Sequence, residues 1–202
     1  MLESLETDLL TLRWLGGGDR DEYVRIHELS AGEFGLWMPA RDPDETLEQR
    51  FDRELAGTLA SQADGSGIRM VAELPDGSLA GIFALNQIFR GPFQNAFAGW
   101  RVASDQTGKG LATAGVLALL DLAFEQEPKG LGLHRVQANV VPSNPASIRV
   151  AEKAGFRLEG LAQEYLQIDG RWQDHLMFAK LAREHTSEPH ASRPSSARGT
   201  QG

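Results

Sequence analysis

Glycines and a lysine stand between two apolar segments near the middle of the chain, in the sequence SDQTGKGLATAG. The preceding FAGWRV has the pattern of a β-strand, and the following VLALLDLAF that of a buried helix. A glycine turn at a helix start leaves unpaired backbone N–H groups beside the positive end of the helix dipole, which together attract anions. Gly108 and Gly110 let the backbone approach an anion without an intervening Cβ, and Lys109 adds positive charge. The segment is compatible with a main-chain phosphate site, and a turn without a ligand is the alternative.

Two common phosphate-binding motifs do not fit these residues. A Walker A loop requires a hydroxyl residue where Gly110 stands and a glycine where Ala103 stands. A dinucleotide fingerprint, G-x-G-x-x-G, requires a glycine in place of Thr113, and the strands before it have a hairpin pattern rather than that of a parallel sheet. Both motifs are therefore excluded.

The composition is typical of one globular domain. The chain has 202 residues, 41% of them hydrophobic and 24% charged, which is enough for a sizeable core. It contains no cysteine, which excludes disulfides, thiolate metal ligands and cysteine nucleophiles. The net charge of -8 argues against direct nucleic-acid binding and weakly favours a basic partner. We expect no metal site.

The two ends of the chain differ from its body. The acidic start, MLESLETDLL, does not have the pattern of a secretory signal, and no apolar run is long enough to span a bilayer. We therefore expect a cytoplasmic protein without membrane contact. The last segment, REHTSEPHASRPSSARGTQG, is almost without apolar residues. Residues 1–182 are expected to form a single domain and 183–202 a disordered tail, in which His185 and His190 do not have the spacing of a metal site.

Hydrophobic periodicity predicts strands and helices in the first half of the chain. LLTLRWL predicts a strand, and DRDEYVRIHELSAG a helix that ends at a glycine. The next helix is expected to begin at Asp42 or Asp44. Its predicted buried stripe consists of Leu47, Phe51, Leu55 and Leu59. IRMVAEL and LAGIFALNQI flank a Pro-Asp-Gly turn and predict a β-hairpin, and FQNAFAGWRV predicts a further strand.

The second half continues this alternation. After the glycine segment and its helix, LHRVQANVV predicts a strand and NPASIRVAEKAG a helix. FRLEGLAQEYLQI and RWQDHLMFAKL predict a final pair of strands around an Asp-Gly turn. The order strand, two helices, three antiparallel strands, helix, strand, helix, two strands predicts an α/β (α+β) fold with one crossover helix packed on the sheet.

Three segments carry a resemblance to a known family: TGKGLATAG, LGLHRVQANVVPSNPASIRVAEKAGF and EYLQIDGRWQDHLMFA. They resemble the GNAT N-acetyltransferase superfamily and, more narrowly, its ribosomal-protein-alanine N-acetyltransferase branch. The resemblance runs from about Leu9 to Ala182. It implies the GNAT acyl-CoA N-acyltransferase fold, with a mixed, mostly antiparallel sheet splayed at the cofactor slot and helices on both faces. It also implies acetyl-CoA as the acetyl donor.

The resemblance assigns the glycine segment to the pyrophosphate of acetyl-CoA. The family pattern is Arg/Gln-x-x-Gly-x-Gly/Ala, which Gly110 and Ala112 match, whereas Thr107 replaces the usual Arg or Gln. Main-chain amides are therefore expected to carry most of the binding. The cofactor contacts implied in this way are Trp100, Arg101, Val102, Thr107, Gly108, Lys109, Gly110, Leu111, Ala112, Thr113, Asn144, Ser147 and Lys153.

The family also implies roles for the strand edge before the glycine segment and for the catalytic groups. Residues 100–102 would line a slot and pair with the pantetheine arm, with the amide of Val102 meeting the oxyanion, and a β-bulge is expected at residues 98–99. Asn144 also fits a helix N-cap. Ser147 would protonate the departing thiolate, and Glu164 would accept the proton of the amine. His175, after Asp174, is expected to be structural or to line the acceptor side rather than to act as a base.

Three functions remain open from the sequence. The first is transfer of an acetyl group to the N-terminal amine of a protein, for which the acidic balance suits a basic acceptor. The second is acetylation of a small amine, such as an amino acid, a polyamine or an antibiotic. The third is a non-catalytic acyl-CoA sensor. The chain would be a monomer or a homodimer.

Overall fold

The computed structural model describes residues 4–38, 42 and 44–185. Within these residues the strands are β1 Ser4–Glu6, β2 Thr11–Trp14, β3 Ile68–Glu73, β4 Leu79–Phe89, β5 Asn95–Val102, β6 Arg135–Val140, β7 Arg157–Ile168 and β8 Arg171–Leu181. The helices are α1 Arg20–Leu29, α2 Ala31–Trp37, α3 Leu47–Asp64, α4 Leu111–Phe124 and α5 Pro145–Lys153. The predicted order of elements is confirmed, with β1 and α2 in addition. Among the helices of this part of the chain, none is long and apolar enough to cross a membrane.

The strands form one sheet in the order β1-β2-β3-β4-β5-β6-β8-β7. Every neighbouring pair is antiparallel except β5 and β6, which are parallel. The helix α4 joins these two parallel strands, because parallel neighbours require a crossover connection. The sheet is therefore mixed and mostly antiparallel, as expected.

The parallel pair β5–β6 separates after three residues. The paired residues are Asn95, Ala96 and Phe97 on β5 with Arg135, Val136 and Gln137 on β6. Beyond them β5 continues to Val102 and β6 to Val140 without pairing to each other. The two strand ends therefore leave a gap in the middle of the sheet, which is the splayed slot that the sequence predicts.

Helices cover the two faces of the sheet. The side with α4 holds the larger core, in which Phe83 of β4 and Val136 of β6 are fully buried. Gly115 brings α4 close to the sheet, since a Cβ at this position would lie 2.4 Å from the ring of Phe83. The opposite side holds a smaller core built from Tyr23 of α1, Phe51 of α3 and their neighbours. The larger core thus joins the strands on both sides of the slot, whereas the smaller core packs only on the strands before it.

Three predicted details of the helices are wrong. The helix α1 ends at Leu29 rather than at a glycine, and α2 follows it after Ser30. The helix α3 is capped by Thr46 rather than by an aspartate, because Thr46 and Gln49 form a capping box with bonds of 3.2 and 2.9 Å. Its buried positions are Phe51, Glu54 and Thr58, whereas Leu59 is 56% exposed. The buried stripe of α3 thus includes two polar residues in place of the predicted leucines.

The predicted bulge lies in the neighbouring strand. The register between β4 and β5 is regular from Gly81–Val102 to Asn86–Phe97 and then shifts before Phe89–Asn95. The extra residue is therefore in β4, where Gln87 takes a positive φ of 51° that absorbs it.

The domain extends past the predicted boundary at residue 182. Ala182–Glu184 form one turn of 3-10 helix. His185 is 4% exposed in its side chain and lies 2.7 Å from Asp121 of α4. The rest of the predicted tail, from 186 onward, lies outside the described residues.

Candidate active site

A cleft of about 640 Å³ opens where β5 and β6 separate. Its walls are the unpaired end of β5, the glycine segment, the first turn of α4, the end of β6 and one side of α5. The helix α2 and His175 of β8 complete it. The cleft therefore joins the glycine segment to the slot in the sheet, and it brings together most of the predicted cofactor-binding residues.

The free edge of β5 presents main-chain groups to the cleft. The amide of Ala103 donates to the carbonyl of Ala80 on the β4 side at 2.8 Å. Because successive residues of a strand direct their amides to opposite sides, the N–H and C=O of Val102 and of Trp100 point away from β4, into the slot. This edge has the hydrogen-bonding groups to pair with an extended ligand.

The side chain of Arg101 lies on the other side of the strand. Its guanidinium donates to Glu54 of α3 at 2.7 Å. Glu54 also accepts from Arg69 at 2.5 Å and from Arg50 at 3.2 Å. Burial alone would raise the pKa of Glu54, but the charges of Arg101 and Arg69 outweigh burial and hold this pKa well below its usual range. Arg101 therefore borders the cleft with its polar main-chain groups facing β4, and its side chain ties β5 to α3.

The glycine segment has the geometry of an anion cradle. Gly108 and Gly110 have φ of 76° and 83°, and Gly110 directly precedes the first residue of α4. The first helical bond runs from the amide of Ala114 to the carbonyl of Gly110, and no side chain caps this end. The amides of the first turn, from Leu111 to Thr113, therefore have no acceptor within the helix. Around Gly108 the space for a Cβ is open to 4 Å, so the residues present fit a pyrophosphate.

Local hydrogen bonds hold the segment in this shape. The hydroxyl of Ser30, at the junction of α1 and α2, accepts from the amide of Ser104 at 3.0 Å. The hydroxyl of Thr107 donates to the carbonyl of Ser104 at 3.0 Å. Lys109 donates to Gln106 at 2.8 Å and is not among the residues that line the cleft. The side chains of Thr107 and Lys109 therefore stabilise the loop, and the cradle itself is main chain.

The predicted residues of α5 lie on one wall of the cleft. The side chain of Asn144 caps the helix by accepting from the amide of Ser147 at 3.0 Å, as expected for an N-cap. Ser147 is half-buried and lines the cleft together with Asn144 and Lys153. The hydroxyl of Ser147 is thus placed where it can meet a ligand in the slot.

Glu164 lies apart from this wall. It is exposed and occupies a bulge of β7, between Ala162 and Leu166, where its φ is 46°. Its amide donates to the carboxylate of Asp174 at 2.9 Å, and Glu164 is not among the residues that line the cleft. The catalytic role of Glu164 stays a prediction.

One part of the cleft is missing from the sequence-based prediction, the helix α2, which lines the cleft with Glu33, Phe34 and Trp37. The aromatic residues of AGEFGLW favour a buried segment, but two glycines in seven residues argue against a helix. His175 was expected to be structural or to line the acceptor side, and it is buried on β8 at the wall of the cleft.

His27 of α1 supports the α2 wall and makes stability depend on pH. Its Nδ1–H donates to the carbonyl of Tyr23 at 2.7 Å, and its ring contacts Phe34 edge-on. Burial, and then the charge of Arg101, lower the pKa of His27 to about 4. Since the unfolded chain takes up this proton near pH 6.5, the free energy of unfolding is expected to fall by about 3 kcal/mol between about pH 6.5 and 4 because of this residue alone.

The variant His27→Gln tests this expectation. Urea unfolding measured at steps from pH 7.5 to 4.5 should show a smaller loss of stability for the variant than for the wild type. Equal losses in the two proteins would contradict the assignment to His27.

Comparison with known proteins agrees with this geometry. Residues 10–157 match the family model described as Acetyltransferase (GNAT) domain. A protein of Bacillus subtilis named "Probable N-acetyltransferase YjcK" is 43% identical over 106 residues, which span 52% of this chain and 56% of that protein, little more than half its length. The [Ribosomal protein uS5]-alanine N-acetyltransferase of Escherichia coli is 28% identical over 87% of this chain and 89% of its own.

A solved structure matches nearly the whole chain. RimJ of Mycobacterium smegmatis, solved in complex with CoA-disulfide, has a TM-score of 0.80 and 31% identity, covering 90% of this chain and 87% of its own. The family model covers well over half of the chain, and the solved structure is similar in fold over nearly all of it. The chain therefore belongs to the acetyltransferase (GNAT) family, the N-acetyltransferases that use acetyl-CoA.

Proposed function

We propose that this chain transfers the acetyl group of acetyl-CoA to the N-terminal amine of a protein, in the manner of the ribosomal-protein-alanine N-acetyltransferases. The observation that carries the proposal is the continuous path from the glycine cradle at Gly108 to the free edge of β5. The similarity to the Escherichia coli enzyme acting on an alanine of uS5 supports the choice of acceptor.

The cradle and the strand edge would hold the donor. The amides from Gly108 to Thr113 would bind the pyrophosphate, and the groups of Trp100 and Val102 would pair with the pantetheine arm. The cradle is built of amides and open space rather than of basic side chains, which suits a ligand held by its diphosphate at a helix start. When bound, acetyl-CoA supplies an acetyl group activated as a thioester.

The acceptor would reach the slot between α2 and β8. Glu33 of α2 lies at this entrance and is exposed, so that it can attract a protonated amine. An α-amino group has a pKa of about 8 and is partly neutral at pH 7, whereas a lysine amine with a pKa of about 10 is rarely neutral at this pH. This difference favours an N-terminal amine as the nucleophile.

The chain also supplies groups for the charges and protons of the reaction. The amide of Val102 would stabilise the developing oxyanion. Ser147 would give a proton to the leaving sulfur, which is a modest contribution because a thiolate is already a fair leaving group. Glu164, exposed on its bulge, would take up a proton through water.

Transfer measured against a panel of acceptors tests the proposal. The panel contains basic peptides with N-terminal alanine or serine, the same peptides with a blocked N-terminus, amino acids and polyamines. We expect release of CoA with the free peptides and none with the blocked ones. A preference for small amines over every peptide would overturn the proposal, and binding of acetyl-CoA without turnover on any acceptor would favour a sensor.

A further inference from the structure

His175 is the histidine that lines the cleft in the part of the chain that the structure describes. It is 4% exposed and lies on β8, directly across from Ala162 of β7. An imidazole on the wall of a slot can exchange protons with a substrate near neutral pH. The sequence-based expectation was instead that His175 is structural or lines the acceptor side rather than acting as a base.

Hydrogen bonding fixes the tautomer of this ring. Nδ1 of His175 lies 3.1 Å from the carbonyl oxygen of Gln173. A carbonyl oxygen only accepts, so Nδ1 carries the hydrogen of this bond. In the neutral ring Nε2 then holds the free lone pair, which makes Nε2 a proton acceptor.

Packing fixes the orientation of the ring. The ring of Tyr165 lies 5.2 Å from that of His175, centroid to centroid. The hydroxyl of Tyr165 accepts from Asn139 of β6 at 2.8 Å. His175 is therefore held between its own strand and a side chain tied to β6, at the border of the slot.

The side of the sheet on which His175 lies matches the expected approach of the amine. Leu176, the next residue on β8, and Phe178 two positions further both pack in the core with α4. Because side chains alternate along a strand, His175 points to the opposite face. The glycine cradle and Ser147 belong to the α4 and α5 side. A donor bound from that side would present its acetyl group through the slot to the face of His175.

We infer that Nε2 of His175 accepts the proton of the attacking amine. The inference rests on the proposed function and deepens its mechanism. As the amine nitrogen bonds to the acetyl carbon, its proton passes to Nε2, the carbon–sulfur bond breaks and its electron pair stays on sulfur. The first products are the amide and the thiolate of coenzyme A. The thiolate takes up a proton through the hydroxyl of Ser147, which regains one from solvent, and the imidazolium releases its own proton to solvent. Glu164, which is exposed on the neighbouring bulge, would then take up the proton through water only after His175 has released it.

The test compares His175→Ala, His175→Asn and Glu164→Gln in acetyl transfer to an N-terminal alanine peptide. Asn can keep the donor to the Gln173 carbonyl but has no base at Nε2. We expect kcat to fall about 100-fold or more in both His175 variants, with an unchanged KM for acetyl-CoA and an unchanged melting temperature for His175→Asn. Added imidazole should restore part of the rate of His175→Ala, because it supplies the missing base. The rate of Glu164→Gln should be the same with and without imidazole.

The possible outcomes separate this inference from the proposed function. A His175→Asn enzyme with wild-type kcat would overturn the inference. So would a loss of kcat in His175→Ala that imidazole does not restore, since that is the result of a purely structural role. A wild-type protein that acetylates no peptide would instead refute the proposed function.

Discussion

Replacement of Glu54 by alanine is expected to lower the free energy of unfolding by about 3–5 kcal/mol, because it leaves buried positive charge without its partner. Glu54 is 7% exposed in its side chain and bonds Arg101, Arg69 and Arg50. Burial lowers the pKa of Arg101, and the charge of Glu54 opposes this shift. Urea unfolding at pH 7.5 measures the loss.

The matched control is Asp52→Ala on the same helix. Asp52 pairs with Arg20 at 2.6 Å, but both side chains are about half exposed. An exposed pair of this kind contributes at most about 1 kcal/mol. Equal losses for Glu54→Ala and Asp52→Ala would contradict the account of the Glu54 cluster as the tie between α3 and β5.

Replacement of Gly108 by alanine is expected to weaken acetyl-CoA binding about 30-fold or more. The new Cβ would stand in the open space of the cradle and keep the diphosphate from the amides, with the loss of charge-assisted hydrogen bonds worth about 2 kcal/mol or more. The φ of 76° at this residue adds strain of about 1–2 kcal/mol to the folded chain. Isothermal titration with acetyl-CoA measures the affinity.

Gly77→Ala separates the strain from the loss of binding. Gly77 lies in the turn between β3 and β4 with a φ of 88°, and a Cβ there also meets nothing within 4 Å. The two variants should lose similar stability, and only Gly108→Ala should lose affinity for acetyl-CoA. If Gly77→Ala bound acetyl-CoA as weakly as Gly108→Ala, the cradle would not be the binding site.

Local signals allowed most of the fold to be predicted. The hairpin of β3 and β4 depends on a Pro-Asp-Gly turn between alternating strands, and the cap of α5 on Asn144 next to a proline, so that neighbouring residues suffice. The start of α3 was misplaced because two aspartates compete with Thr46 as a cap, and only the reciprocal bond of Gln49 decides between them. The bulge was assigned to the wrong strand because its position depends on the pairing of β4 with β5.

The glycine segment and the α5 wall of the candidate site were predicted, whereas contacts between distant parts of the chain were not. The glycine segment carries its own signal, since its geometry follows from residues next to each other in the chain. The Glu54 cluster gathers arginines from α3, β3 and β5, and no local pattern reports such a contact. The same holds for His175, whose place at the cleft depends on the gap between β5 and β6, two strands that precede it in the chain.

The position of the acetyl group on a product peptide tests the central claim most directly. The peptide begins with alanine and contains one internal lysine, and tandem mass spectrometry after incubation with protein and acetyl-CoA locates the new acetyl group. We predict a single acetyl group on the α-amino nitrogen, with one CoA released per peptide and with almost no product from Gly108→Ala at a low concentration of acetyl-CoA. Acetylation of the lysine side chain, or release of CoA without a modified peptide, would contradict it.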